Sequence, residues 1–230
     1  MFSKNLYNFL KSIYTTEIQK DISLNLSVLK GSKFFKNKTL FIGSSTDVFG
    51  DWIPSEWIEE IFEELYKLDK SITIIFLTKN PKRLVEFQKY FRPNMIAGVT
   101  IETDLILEGY ETKAPSVKER LKVLQENKIH INILISIEPI LKFSKNFFKE
   151  ILKFKTIPQW IILGFNTSKL QMEYPIKEEV LAFLQDIRNY NQNNEMQIEV
   201  LIKSNLNEHK GQTTLGIEGD CNPIRIEGVV

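Results

Sequence analysis

The sequence predicts an α/β protein built on a parallel sheet, and three observations predict it. Short apolar, β-branched runs alternate with amphipathic segments of helical period along nearly all of the 230 residues, the pattern of repeated strand–helix units. The runs are apolar through their middles instead of alternating, as in strands covered on both faces. No linker, repeat or low-complexity stretch interrupts the pattern, so one domain is expected: an N-terminal helix and connection over 1–37, a βα core over 38–206 and a tail over 207–230.

Taken in order, Leu6-Phe9-Leu10-Ile13 marks a first helix before a Ser/Lys/Gly-rich connection. Strands are expected at Thr39–Gly43, Thr73–Leu77, Ile96–Thr100, Ile131–Ile137, Trp160–Gly164 and Ile198–Ile202. Three of the intervening helices have legible starts: Ser55 before Trp57-Ile58-Ile61-Phe62-Leu65, Asn80-Pro81 before Leu84-Phe87-Tyr90, and Pro115-Ser116 before Val117-Leu121-Leu124. Each start couples a capping side chain or an N1 proline to an apolar stripe at i, i+3, i+4. Two more helices are expected near Ser144–Phe154 and Ile176–Tyr190, and the glycine-rich tail reads as extended.

Composition narrows the function. With 30 basic against 29 acidic side chains the net charge is +1, which argues against a general nucleic-acid or membrane-surface binder held by long-range electrostatics. One cysteine, Cys221, and two histidines, His130 and His209, exclude intramolecular disulfides and any metal site made of several Cys or His ligands from this chain. The apolar runs Ile72–Leu77 and Ile131–Ile137 are far shorter than the roughly 20 residues of a membrane-spanning helix. Met1–Lys20 lacks the apolar core of a signal peptide, so a cytoplasmic location is the expectation.

In parallel βα architectures the loops after the strands build the site, because the chain leaves the packed layer there. Those loops begin Gly43-Ser44-Ser45-Thr46-Asp47, Thr78-Lys79-Asn80, Thr100-Ile101-Glu102-Thr103-Asp104, Ser136-Ile137-Glu138-Pro139, Gly164-Phe165-Asn166-Thr167 and Lys203-Ser204-Asn205. Ser44, Thr103 and Asn80 read equally as caps and loop starts. Lys79, Glu102, Glu138 and Lys203 are the stronger pocket candidates, since a charge directly after a buried strand must be paired or hydrated in a cleft.

Other residues read more plainly. His130 is a helix–strand connector, and His209 has no partner at a spacing for nucleophilic catalysis. Glu59-Glu60-Glu63-Glu64 form a solvated helix face, and no metal site is expected. Trp52 and Trp57 beside Pro54 read as a hydrophobic staple, with stacking on a base as the alternative.

Five segments, Phe41–Pro54, Leu77–Leu84, Pro93–Glu102, Ser136–Leu141 and Trp160–Gly164, resemble in this order a largely uncharacterised phage- and plasmid-associated family. Its members travel with three-cysteine-motif partner proteins, and it is similar in turn to the radical S-adenosylmethionine enzymes, closest to the spore photoproduct lyase branch. Glu119-Arg120-Leu121 through Asn127-Lys-Ile-His-Ile131 resembles the helix-turn-strand before the fifth strand of such barrels, and the likeness spans about residues 25–205.

The resemblance implies a partial (β/α)6 TIM-like barrel of parallel strands with S-adenosylmethionine lying across the strand ends. It places Gly43, Ser44 and Ser45, with Asp47 close behind, at the methionine amino group, and Thr100 and Glu102 beside the ribose. It places Glu138 at the rim of the fifth strand, Gly164 and Asn166 beneath adenine, and Lys79 and Lys203 at the mouth, where they meet a carboxylate or phosphate. The family's four-iron cluster needs three closely spaced cysteines on the loop after the first strand, and residues 1–42 hold none. The expectation is therefore a barrel lacking its first strand and cluster loop.

Three functional readings follow. The leading one is a degenerate, cluster-free member of a mobile element that binds S-adenosylmethionine or a nucleotide. The second is a true radical enzyme whose cysteines come from elsewhere. The third is a nucleic-acid-associated protein, on the basic side chains Lys79, Lys82, Arg83, Lys89 and Arg92. An open sheet edge left by the missing strand predicts a protein partner, self-association or cover by the tail.

Overall fold

The computed structural model describes residues 37–43, 46–110, 113–165 and 172–203. All six expected strands are present: β1 (Thr39–Ile42), β2 (Thr73–Thr78), β3 (Met95–Thr100), β4 (Asn132–Ile137), β5 (Trp160–Leu163) and β6 (Glu199–Ile202). Between them lie α1 (Ser55–Leu65), α2 (Pro81–Phe87) running into a 3-10 turn at Gln88–Tyr90, α3 (Val117–Glu126), α4 (Phe147–Leu152) and α5 (Lys177–Asn193). The expected N-terminal helix and the tail lie outside the described residues.

The strands form one all-parallel sheet in the order β1-β2-β3-β4-β5-β6, curled into a half-barrel. Strand order equals chain order because each crossover steps to the adjacent position in the same sense, and right-handed crossovers then put every helix on one face. That outer face carries the main core. Leu40, Ile42, Ile74, Phe76, Ala97, Val99, Ile133, Ile135, Ile161 and Leu163 pack there against Ile58, Phe62, Leu84, Leu121, Leu124, Ile151, Phe183 and Ile187 of the helices. Each such side chain stabilises by about 1.5–3 kcal/mol when fully buried.

The inner face is a smaller apolar patch of Ile75, Ile96 and Leu134, flanked by the half-buried Phe41, Leu77, Trp160 and Ile162. Burial on both faces, expected of all six strands, holds in the centre and fails at the sides. β3 is buried at every position, whereas β1 and β5 alternate between half-buried and buried, and no residue of β6 is fully buried. The reason is the curl: no helix covers the concave side of any strand among the described residues, and only the central strands have neighbours closing in on them from both sides.

Local chemistry explains the element starts. Ser116 and Glu119 form a reciprocal capping box on α3, with Ser116 Oγ accepting from the Glu119 amide and the Glu119 carboxylate accepting from the Ser116 amide. Asn80 caps α2 and Pro81 occupies its first position. Helix α4 is shorter than the expected Ser144–Phe154 because the Ser144 amide and hydroxyl both donate to Asp104 in the loop after β3. An aromatic cluster of Phe49, Phe62, Phe76, Phe87, Tyr90 and Phe91, with ring centroids 5.1–6.4 Å apart, fills the space beneath β1 and β2.

Candidate functional site at the strand ends

Side chains alternate faces along a strand, so counting by twos from the inner-face residues leads to the groups at the rim. Phe41 leads to Gly43, Leu77 to Lys79, Gly98 to Thr100, Ser136 to Glu138, Ile162 to Gly164 and Leu201 to Lys203. All six are residues the sequence singles out, and they share the concave side of the half-barrel. They do not form one site: they separate into a β1–β3 half and a β4–β6 half.

In the first half a cavity of about 450 Å³ opens at the ends of β1, β2 and β3, with Gly43, Asp47, Trp52, Lys79, Thr100 and Lys113 on its wall. Gly43 has φ +88, and a Cβ there would lie 3.0 Å from the Thr46 carbonyl oxygen. Only glycine takes that conformation without strain, and it leaves backbone exposed to the cavity. Asp47 fixes the loop that follows. Its carboxylate accepts from the Phe49 amide (3.0 Å), the Thr78 hydroxyl (2.8 Å) and the Lys79 amide (2.7 Å).

Asn80 donates to the Phe49 carbonyl (3.0 Å) and Asp51 (2.8 Å), and Arg83 donates to the Gly50 carbonyl (2.6 Å). Residues 47–51 are thereby stitched to the β2–α2 junction, and Phe49, fully buried in the aromatic cluster, anchors them from below. Trp57 packs against the core as a staple should. Trp52 does not: it is 49% exposed on the cavity wall, its indole folded over Gly50, where a Cβ would lie 2.5 Å from the ring.

Behind Lys79 lies a buried charge cluster. Glu102 is fully buried; its Oε1 accepts from Lys79 Nζ at 2.5 Å and from the Tyr110 hydroxyl at 2.6 Å, and Arg120 Nη1 sits 2.8 Å from Oε2. Arg120 is itself fully buried and donates to the Thr100 carbonyl at 2.5 Å. Its Nε and Nη2 find no hydrogen-bond acceptor among the described residues. Burial alone would push the Glu102 carboxyl up, but Arg120 and Lys79, with hydrogen bonds from Lys79 and Tyr110, outweigh it and hold it below the ordinary carboxylate value. Burial first, and then the Glu102 charge, push the Tyr110 hydroxyl above its ordinary value, so it stays a donor.

In the second half Glu138 Oε2 accepts from Lys203 Nζ at 2.5 Å, and the Glu138 side chain lies across Gly164, where a Cβ would meet Oε1 at 2.8 Å. Neither Glu138 nor Lys203 is on the cavity wall. Glu102, expected beside a ribose, stands behind the wall instead of on it, because Arg120 draws its carboxylate into the protein. Ser44, Ser45 and Asn166 lie outside the described residues.

Sequence reasoning passes over Arg120, Tyr110 and Lys113. Arg120 carries the clearest signal, since it stands at i+3 from Val117 and one residue before Leu121, on the apolar stripe of α3 where a charge requires a buried partner. Of the basic residues read as phosphate contacts, Lys79 pairs with Glu102, Arg83 holds Gly50, and Arg92 stacks 3.6 Å from the Tyr66 ring centroid. Lys82 and Lys89 face outward. The glutamates of α1 are dispersed: Glu59 accepts from the Tyr90 hydroxyl at 2.7 Å and Glu64 pairs with Lys67 at 2.5 Å. Among the described residues no group of His, Cys, Asp and Glu is arranged to hold a metal, and no helix is long and apolar enough to cross a membrane.

No curated protein and no solved structure matches this sequence. A family described as a protein of unknown function, DUF5131, matches residues 5–196, most of the chain. On that match the chain belongs to the DUF5131 family.

Proposed function

We propose that this protein is a ligand-binding half-barrel that takes an adenosine-containing molecule, S-adenosylmethionine or a nucleotide, in the cavity at the ends of β1–β3. The observation that carries the reading is the composition of that wall: exposed backbone at Gly43, an exposed indole at Trp52 and two ammonium groups, Lys79 and Lys113. The place is right, since ligands of parallel α/β sheets bind beyond the carboxyl ends of the strands. The chemistry is right as well, since an exposed indole stacks on a base and a main chain without a side chain lets a ligand approach closely.

The resemblance to radical S-adenosylmethionine proteins of mobile elements supports the same ligand class and reads the half-barrel as a partial (β/α)6 barrel. An iron–sulfur cluster does not fit the donors of this chain, whose 230 residues contain one cysteine, because such clusters are held by several thiolates. The proposed role is therefore binding or sensing, without radical chemistry by this chain alone.

Calorimetric titration with adenosine, S-adenosylhomocysteine and S-adenosylmethionine tests it. Saturable binding of at least one, weakened about tenfold or more in Trp52→Ala as expected for loss of a base stack, is the expected outcome. Absence of binding to all three and to adenosine phosphates would refute the reading. Iron and sulfide in protein purified with its natural neighbours would refute the cluster-free role.

A further inference from the structure

The two ligand classes differ in charge, and the wall of the cavity discriminates between them. S-adenosylmethionine brings a sulfonium and an ammonium against a single carboxylate, a net positive charge that calls for free carboxylates in the site; a nucleoside phosphate brings a net negative charge, which calls for free donors. Among the described residues one carboxylate, Asp47, lies on the wall and a second, Glu102, behind it, and both are held from within. Asp47 has one oxygen on the Phe49 amide and the other on Thr78 and Lys79. Glu102 has Lys79 and Tyr110 on one oxygen and Arg120 against the other, with no solvent exposure.

The cations are placed differently. Lys79 is on the wall with 32% of its side chain exposed, and its ammonium has three protons, of which Glu102 takes one and the Tyr110 hydroxyl oxygen, 3.3 Å from Nζ, accepts another. One donor is left to face the cavity. Lys113 is exposed on the same wall and has no ion pair among the described residues. With Lys79, Lys113 and Arg120 against Asp47 and Glu102, these five charges in and behind the wall sum to plus one among the described residues, and both wall ammonium groups keep donors that no carboxylate takes up.

Resting on the reading of this cavity as an adenosine site, we infer that its ligand is an anionic nucleoside phosphate, and that Lys79 and Lys113 select it over the sulfonium cation. Trp52 takes the base and the two ammonium groups take the phosphate. Lys79 need not abandon Glu102 to do so, because Arg120 and Tyr110 hold that carboxylate in place. Lys113 supplies long-range attraction, so affinity is expected to fall with added salt.

The experiment compares adenosine, AMP, ADP and S-adenosylmethionine by calorimetry at low and moderate ionic strength, in the wild-type protein and in Lys113→Met and Lys79→Met. Lys113 is exposed, so its replacement leaves the fold intact; circular dichroism and the urea midpoint verify this for both variants. The expected result is AMP or ADP binding at least tenfold more tightly than adenosine and S-adenosylmethionine, with that margin reduced several-fold in Lys113→Met and by salt. Adenosine binding as well as AMP, S-adenosylmethionine binding tightest, or a phosphate preference unchanged in both variants would overturn the inference while leaving an adenosine site. Failure of all four probes in the folded protein would remove the adenosine reading itself, and this inference with it.

Discussion

The two halves of the rim each hold a lysine–glutamate pair, and the pairs have the same length. Lys79 and Glu102 meet at 2.5 Å, as do Lys203 and Glu138. Distance therefore does not distinguish them; surroundings do. Glu102 has no exposed side-chain surface and a second, equally buried cation in Arg120, whereas Glu138 and Lys203 are 25% and 44% exposed. In the first half Glu102 and Arg120 are fully desolvated, with only Lys79 reaching water, and the buried charges depend on their partners. In the second, water screens the attraction and competes for it, and the pair contributes little. The same pair of groups at the strand ends of one sheet acts as a structural keystone in one half and as a surface contact in the other.

The comparison breaks first at Arg120. Arg120→Ala strands the Glu102 carboxylate, and urea unfolding is expected to show a loss of about 3–5 kcal/mol. A loss under 1 kcal/mol would mean water already reaches the cluster. The double variant Glu102→Gln/Arg120→Met, which removes both charges, should be less destabilised than Arg120→Ala alone. Next comes Asp47→Ala, which leaves the Phe49 and Lys79 amides without their acceptor; about 1–3 kcal/mol is expected, with weakened ligand binding as the loop loosens. Lys203→Ala should lie within about 1 kcal/mol of wild type, and a larger loss would show that the two halves are more alike than their exposure indicates.

Acid sharpens the contrast further. The folded-state Glu102 carboxyl is held below its unfolded value, so its contribution is full above the ordinary carboxylate range and disappears as pH falls through the depressed folded value. Unfolding midpoints of wild type and Glu102→Gln should differ at pH 7, begin to approach each other at about pH 4, the unfolded carboxylate range, and converge only below the depressed folded value. The opposite sign applies to Tyr110, whose raised value keeps the hydroxyl protonated as pH climbs past the ordinary tyrosine range. A Tyr110→Phe difference titration in the ultraviolet should accordingly show no ionisation at pH 10.

Most of the fold was legible because its signal is local. Every expected strand was found within two residues of its bounds at either end, since a β-branched run between capped helices leaves few alternatives. The curl was not legible: Phe41, Trp160 and Ile162 are as apolar as any buried strand residue, yet they are half-buried, because burial on the concave face depends on how far the sheet curls around each strand. Of the site, the rim charges could be found by position. What they do could not, because Lys79 and Lys203 look alike in sequence and part company over Arg120, a residue about 40 positions from one and about 80 from the other. An arginine on the apolar stripe of α3 is the one local sign of that cluster.

One consequence lies in the order of the strands. Because each strand adds beside the one before it, the sheet pairs only segments that are neighbours along the chain, and no pairing has to close a loop across the whole molecule. Each of these pairings closes a loop of roughly 20–40 residues, and the entropy cost of closure grows only slowly with loop length. They also make the molecule graded rather than all-or-none in its resistance to opening. β3 and β4, flanked on both sides and buried, form the slow-exchanging centre, and protection should decline stepwise toward β1 and β6, as it does toward the ends of a repeat array. The cavity, bounded by β1, sits on that gradient near its loose end, where an incoming ligand can tighten the strand that carries Gly43.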